Sequence, residues 1–414
     1  MAEPNPPVRR LGDWSAARLR ELAAGYGTPL YVLDLDRVRE NAARVRAAFD
    51  REEVSYAVKA NTTRAVLSTL HDEGLGAECA SAGEVQRALD AGVPGDEIRY
   101  TAVNPPARDV DHVVDLARDH DLTVTVGAAD TLDAFAERGY DGRLCVRVNP
   151  GVGAGHHAKV TTGDAPQFGV PYDRAPGLVD EAAARGFDVV GLHAHAGSGI
   201  SGEDLSAHRE LVARMGDLAR SVGTDHDLAF VNVGGGFGVP YRPEEGPLDL
   251  PAVAAATREA FGDADVRLGV EPGRYFVADA GVLLTEVTAV KPTPETTVVG
   301  VDAGMTTLIR PALYDAYHEV RHLGGAGRER ISATVAGPIC ETADVLAADR
   351  ELPRPERGEV LAVGNAGAYG YEMTSNYNSR PRPAVVALDG GDPRLAVRRE
   401  DLSALTAMEC DNEW

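Results

Sequence analysis

Short runs of apolar and β-branched residues recur along the first two thirds of the chain, at residues 54–58, 77–80, 98–103, 122–126, 144–148, 189–195, 228–233 and 266–271. Each reads as a strand, and the segments between them carry helical periodicity, as at 82–91 and 205–221. Eight strands alternating with helices predict an α/β chain built on a (β/α)8 TIM-type barrel, near the ~250-residue norm of that fold. A doubly wound sheet would give the same periodicity. After Tyr275 the texture changes. Runs at 283–290, 296–301, 331–336, 359–363 and 384–388 are β-rich, set off by Gly/Pro turns, and predict a second, mainly β C-terminal domain. The expected division is an N-terminal segment 1–35, a barrel over 36–280 and the β-rich domain over 281–414. A strand-like stretch at 29–35 is expected to join the β domain before the chain enters the barrel.

Composition narrows the function. The 64 acidic residues outnumber the 41 basic ones, for a net charge of −23, which argues against nucleic acid as a partner. No apolar run approaches the ~18 residues of a membrane span, and residues 1–20 lack the apolar core of a secretory signal. Cys79, Cys145, Cys340 and Cys410 are scattered without metal-ligand spacing, so neither a metal nor a disulfide framework is expected and a cytoplasmic setting is. The acidic surface fits adaptation to a salt-rich cytoplasm. Replacement of Lys by Arg in a GC-rich genome accounts for part of the same pattern.

Only three lysines, Lys59, Lys159 and Lys291, stand against 38 arginines. Lys59 ends an apolar strand-like run in Tyr56-Ala57-Val58-Lys59-Ala60-Asn61, where a solvated surface charge would be out of place. Arginine can carry a charge there. It does not readily give up a proton and attack a carbonyl carbon, as lysine does once burial lowers its pKa. Taken alone, such a lysine would more often snorkel at a strand end. With the lysine scarcity and the motifs downstream, Lys59 is read as a Schiff-base lysine holding pyridoxal phosphate.

Other unusual residues fall at strand ends, where a barrel of this type places its active site. They are Glu78, Arg147, His193, His195, Gly234-Gly235-Gly236 and Glu271-Pro272-Gly273-Arg274. The glycines allow backbone amides to approach phosphate oxygens. Pro240 argues against a dinucleotide fingerprint. With Ser198 and Arg274 the glycines read as a phosphate cradle. His193 and His195 share one strand face without clear further metal ligands. A flat ring on a flat cofactor is the better reading for His195. Glu271 suits a carboxylate that keeps a pyridine nitrogen protonated.

These motifs occur in the order found in the fold-type III, alanine-racemase-like decarboxylases, which the chain resembles from about residue 29 to 400. Further shared runs are Ile309-Arg-Pro-Ala-Leu-Tyr314, Gly337-Pro-Ile-Cys-Glu341, Gly367-Ala-Tyr-Gly370 and Ser375-Asn-Tyr-Asn-Ser-Arg-Pro-Arg-Pro383. The first and last of these are most similar to the diaminopimelate-acting branch. The resemblance implies that Lys59 anchors pyridoxal 5'-phosphate, His195 stacks on its ring and Glu271 meets its nitrogen. It implies that Ser198, Gly234, Gly235, Gly236, Gly273, Arg274 and Tyr369 surround the cofactor, mainly at its phosphate, with Arg274 and Tyr369 also reaching substrate. Arg310 and Tyr314 would hold a substrate carboxylate. Cys340 as proton donor and Glu341 as ligand of the distal amine would come from a neighbouring subunit, so a homodimer is expected.

The implied reaction is decarboxylation of meso-2,6-diaminopimelate to L-lysine and CO2, the last step of lysine biosynthesis. Related decarboxylases acting on carboxynorspermidine, ornithine or arginine are the near alternatives. An amino-acid racemase is the non-decarboxylase alternative, though it should lack the Cys340-Glu341 signature. The sequence departs from the family between Val152 and Gly169, and His156, His157 and Lys159 are assigned no catalytic role.

Overall fold

A computed structural model describes residues 6–155, 165–198, 200–201 and 204–410. Two compact units emerge among them. One comprises the residues up to Val38, Tyr241–Glu245 and those from Val277 onward, and the other comprises Arg39–Pro240 and Gly246–Phe276.

The second unit is a closed barrel. Its parallel strands, in order around the ring, are Glu53–Ala57, Gly76–Cys79, Ile98–Tyr100, Thr123–Val126, Arg143–Asn149, Asp188–Ala194, Phe230–Asn232 and Arg267–Val270, the last pairing with the first. A helix follows each strand: Arg64–Asp72, Ala82–Asp90, Ala107–Ala117, Ala129–Ala136, Ala175–Ala184, Ser206–Val222, Leu250–Phe261 and the short Arg274–Val277. The strands are buried along most of their length because helices cover the outside and side chains fill the inside, which is why they read as near-continuous apolar runs. Helix starts follow local chemistry. Ser81 caps Ala82–Asp90 by accepting from the Glu84 amide, while the Glu84 carboxylate accepts from the Ala80 amide.

Every barrel strand predicted from the apolar pattern is present, so the doubly wound alternative falls. Several ends differ. The third strand stops at Tyr100, three residues early, and Val103 is exposed. The first stops at Ala57, so Lys59 lies not on the strand but in a 3-10 turn, Val58–Ala60.

The first unit is built on a mainly β sheet. Its strands run Val345–Pro353, Arg330–Ala336, Thr297–Val301, Gly281–Pro292, Leu30–Asp34, Ala384–Asp389 and Asp392–Val397, with Val320–His322 and Val360–Val363 joined through Gly281–Pro292. Leu30–Asp34 pairs antiparallel with Gly281–Pro292 and parallel with Ala384–Asp389. Leu19 and Leu22 of helix Ala16–Tyr26 pack with Leu30, Val32, Leu284 and Val386 in one buried apolar cluster. Among the described residues, no helix is long and apolar enough to cross a membrane.

Candidate active site

The turn carrying Lys59 sits at the C-terminal end of the first barrel strand, packed under the loop that follows the eighth. The Ala57 amide donates to the Pro272 carbonyl at 3.2 Å. Gly273 fits because a Cβ there would lie 3.0 Å from that of Ala60 and 3.1 Å from that of Ala57. Lys59 is more open than its apolar neighbourhood predicted: its side chain is 41% exposed. A lysine that must meet a carbonyl carbon has to face the barrel mouth. Its Nζ lies 3.1 Å from Oε2 of Glu78, a buried carboxylate on the second strand. Burial raises the Glu78 pKa, and the Lys59 charge opposes that shift.

Glu271 stands just past the eighth strand and is 4% exposed. Its Oε1 lies 2.8 Å from Nε2 of His193, while its buried Oε2 has no hydrogen-bond partner. Burial pushes the Glu271 pKa up, but His193, Lys59 and His195 outweigh it and hold the carboxyl at about 2. The result is a charged, desolvated carboxylate with one oxygen to spare, the form able to keep a pyridine nitrogen protonated. His193, one of the two histidines on that strand face, thus serves the carboxylate.

His195 behaves differently. The Gly235 amide donates to its Nδ1 at 3.2 Å, which leaves the ring proton on Nε2. Desolvation first, then the neighbouring Lys59 ammonium, lowers its pKa to about 3, so the ring is neutral at ordinary pH. A neutral flat ring suits stacking on an aromatic ligand.

The seventh strand runs into the glycine turn through Asn232, whose Oδ1 accepts from the Gly234 amide at 2.8 Å. Gly234 and Gly236 hold φ of 77° and 87°, and a Cβ on Gly236 would lie 2.3 Å from the Gly197 carbonyl oxygen. The buried Ser198 hydroxyl has no partner, and Arg274 is buried at the start of its short helix. An orphan hydroxyl, a turn admitting only glycine and a spare carboxylate oxygen fit a phosphorylated pyridine. The barrel therefore brings Lys59, His195, Ser198, Gly234–Gly236, Glu271, Gly273 and Arg274 to the ends of its strands.

The remaining candidates lie in the first unit. Arg310 opens the helix Arg310–Tyr314 and is 3% exposed. Its Nε donates to Nε2 of His318 at 3.3 Å, and His318 Nδ1 donates to the Gly364 carbonyl at 2.9 Å. That second bond fixes the tautomer whose Nε2 can accept from the guanidinium. Tyr314 ends the same helix, before Asp315 at φ 51°. Tyr369 also has a positive φ, 53°, uncommon for an aromatic residue and of the kind that collects at functional sites. Cys340 and Glu341 are exposed on the loop after Arg330–Ala336. His156, His157 and Lys159 lie outside the described residues.

Several contacts were not legible from sequence: Glu78 on Lys59, His193 on Glu271, Asn232 in the glycine turn and His318 under Arg310. The available signal was a polar residue inside an apolar run, as at Glu78 and Asn232. Nothing in the sequence marked His318.

A parallel barrel with a lysine, a charged carboxylate and a glycine turn beside an unpartnered serine hydroxyl at its C-terminal mouth defines a pyridoxal-phosphate enzyme. Residues 35–278 match the family model described as the pyridoxal binding domain of pyridoxal-dependent decarboxylases. The chain is 42% identical over 404 residues to the diaminopimelate decarboxylase of Methanothermobacter thermautotrophicus, covering 93% of this chain and 92% of that one. It is 35% identical to the diaminopimelate decarboxylase of Escherichia coli K12, covering 96% and 97%. The structure superposes on Helicobacter pylori diaminopimelate decarboxylase complexed with L-lysine with a TM-score of 0.88, at 33% identity and coverage of 94% and 99%. The chain belongs to the pyridoxal-dependent decarboxylases, in the diaminopimelate decarboxylase family.

Proposed function

We propose that the protein decarboxylates meso-2,6-diaminopimelate to L-lysine and CO2 with pyridoxal 5'-phosphate, as a cytoplasmic homodimer closing lysine biosynthesis. The observation that carries the chemistry is Glu271, held as a charged carboxylate by His193 with its buried Oε2 unpartnered. The substrate follows from the relatives, which match along both units and not the barrel alone.

When bound, pyridoxal phosphate supplies an electron-accepting ring that stabilises the charge left at the alpha carbon as CO2 departs. Lys59 would anchor it through its Nζ. Glu271 would hold a proton at the ring nitrogen, and His195, a neutral imidazole, would lie against the ring. Ser198, the amides of Gly234–Gly236, Gly273, Arg274 and Tyr369 form the cofactor's binding shell, with Arg274 and Tyr369 also reaching substrate. Arg310 and Tyr314 bind the distal carboxylate, which ornithine and arginine lack. Cys340, from a second subunit, delivers a proton to the alpha carbon, and Glu341 binds the distal ammonium. The exposure of Cys340 and Glu341 in the single chain supports a role against a partner surface.

The test is holoenzyme incubated with meso-diaminopimelate, L-lysine, ornithine, arginine and carboxynorspermidine, reading CO2 and product. Release of CO2 from diaminopimelate with formation of L-lysine is expected. Preferred turnover of any other member of the panel would overturn the substrate assignment.

A further inference from the structure

We propose that Tyr377 and Asn378 form a side-chain latch that sets Cys340 and Glu341, with Asn378 positioning the thiol and Tyr377 positioning the carboxylate. This rests on the roles of Cys340 and Glu341 given above. Asn378 Oδ1 accepts from the Cys340 amide and from its Sγ, both at 3.3 Å. One oxygen shared by two donors of the same residue selects the cysteine rotamer that turns Sγ toward residue 378. The next residue back, Tyr377, donates from its hydroxyl to Glu341 Oε1 at 2.5 Å. Two consecutive residues therefore address two consecutive residues.

Local backbone makes that possible. Tyr377–Ser379 is a 3-10 turn in which Asn378 takes φ 56° and Ser379 φ 51°. Left-handed backbone is tolerated by Asn better than by most side chains. The acceptor chemistry is also suitable. An amide oxygen is neutral and only accepts, so it can orient the S–H without adding a charge beside it. The tyrosine hydroxyl engages one carboxylate oxygen and leaves the other for an ammonium group.

The loop does not need the latch in order to fold. Buried Asp344 accepts from the Ile339 amide at 2.6 Å and from the Met305 amide at 2.5 Å, and the Gly337 amide donates to its carbonyl at 2.9 Å. A Cβ on Gly304 or Gly337 would approach the Asp344 carboxylate to within 2.5 Å, so this pin is tightly built. Asn378 and Tyr377 are exposed and act on side-chain orientation.

The experiment compares Asn378→Ala, Asn378→Asp, Tyr377→Phe and Cys340→Ala holoenzymes with wild type on meso-diaminopimelate, each with its melting temperature. Asn378→Ala should lower kcat about tenfold with little change in KM, the cost of losing one orienting hydrogen bond. Its solvent isotope effect on kcat should rise, because proton delivery becomes slower, and Asn378→Asp, which keeps an acceptor oxygen, should recover part of the rate. Tyr377→Phe should raise KM by about tenfold and leave kcat nearly unchanged. An inactive Cys340→Ala beside a fully active Asn378→Ala would overturn the latch alone. Equal loss in both Asn378 variants with an unchanged isotope effect would overturn it as well. A fully active Cys340→Ala would overturn the donor role itself, and the latch with it.

Discussion

Nε2 of His193 lies 2.8 Å from Oε1 of Glu271, joining the sixth and eighth barrel strands inside a buried site. The histidine keeps the carboxylate charged where burial would otherwise neutralise it, and it occupies one oxygen while the other stays buried without a hydrogen-bond partner. Glu271→Gln should retain bound cofactor and lose about a hundredfold or more in kcat, since a neutral amide no longer favours a protonated ring nitrogen. His193→Phe should give an intermediate loss with cofactor still bound. Absorbance of the bound cofactor and steady-state kinetics check both, and near-normal kcat in Glu271→Gln would place the electron-sink function elsewhere.

Arg310→Ala should raise KM for diaminopimelate far more than it weakens cofactor binding. Loss of a charge-assisted bond to a carboxylate costs ~1.5–3 kcal/mol, roughly ten- to a hundredfold. His318→Leu should raise KM in the same direction by less, because the guanidinium loses its Nε partner and keeps its charge. Initial rates over a range of substrate concentration separate these outcomes.

The barrel was legible because buried parallel strands leave continuous apolar runs and because Lys59, the glycine triplet and Glu271-Pro-Gly-Arg274 sit where those runs end. The strands Val345–Pro353 and Asp392–Val397 were not legible. Both lie at sheet edges, and the second, Asp-Pro-Arg-Leu-Ala-Val, is largely exposed, so its pattern is polar and broken by proline. The couplings His193–Glu271 and Arg310–His318 were hidden for another reason. A histidine carries no local sign of the acceptor or donor that the fold sets against it.

Acid sensitivity follows from His208, which is buried with Nε2 2.9 Å from the Thr257 hydroxyl and Nδ1 unpartnered. Burial lowers its pKa from 6.5 to about 4, with Arg209 adding to the shift and a backbone hydrogen bond at Val253 opposing it. Between those values the unfolded chain binds a proton that the folded chain does not, so stability rises with pH across the window and is lost as pH falls from 6.5 toward 4. The loss amounts to about 3 kcal/mol from this one group. His208→Gln should flatten the dependence of denaturation midpoint on pH in that range. An unchanged slope would show that His208 charges without cost.

Mixing inactive Lys59→Ala and Cys340→Ala subunits should restore activity once they exchange. In a mixed dimer one site inherits both lesions and the other is intact, so equal mixing approaches about 25% of wild-type turnover. No recovery despite demonstrated exchange would assign both residues to one subunit's site.

The most direct measurement is borohydride reduction of the holoenzyme followed by peptide mapping, with Lys59→Ala treated in parallel. The reduced cofactor should be found on Lys59 alone, substrate should diminish that labelling, and Lys59→Ala should show neither the cofactor's visible absorbance nor decarboxylation of diaminopimelate. Labelling at Lys159 or Lys291, or full turnover by Lys59→Ala, would contradict the account.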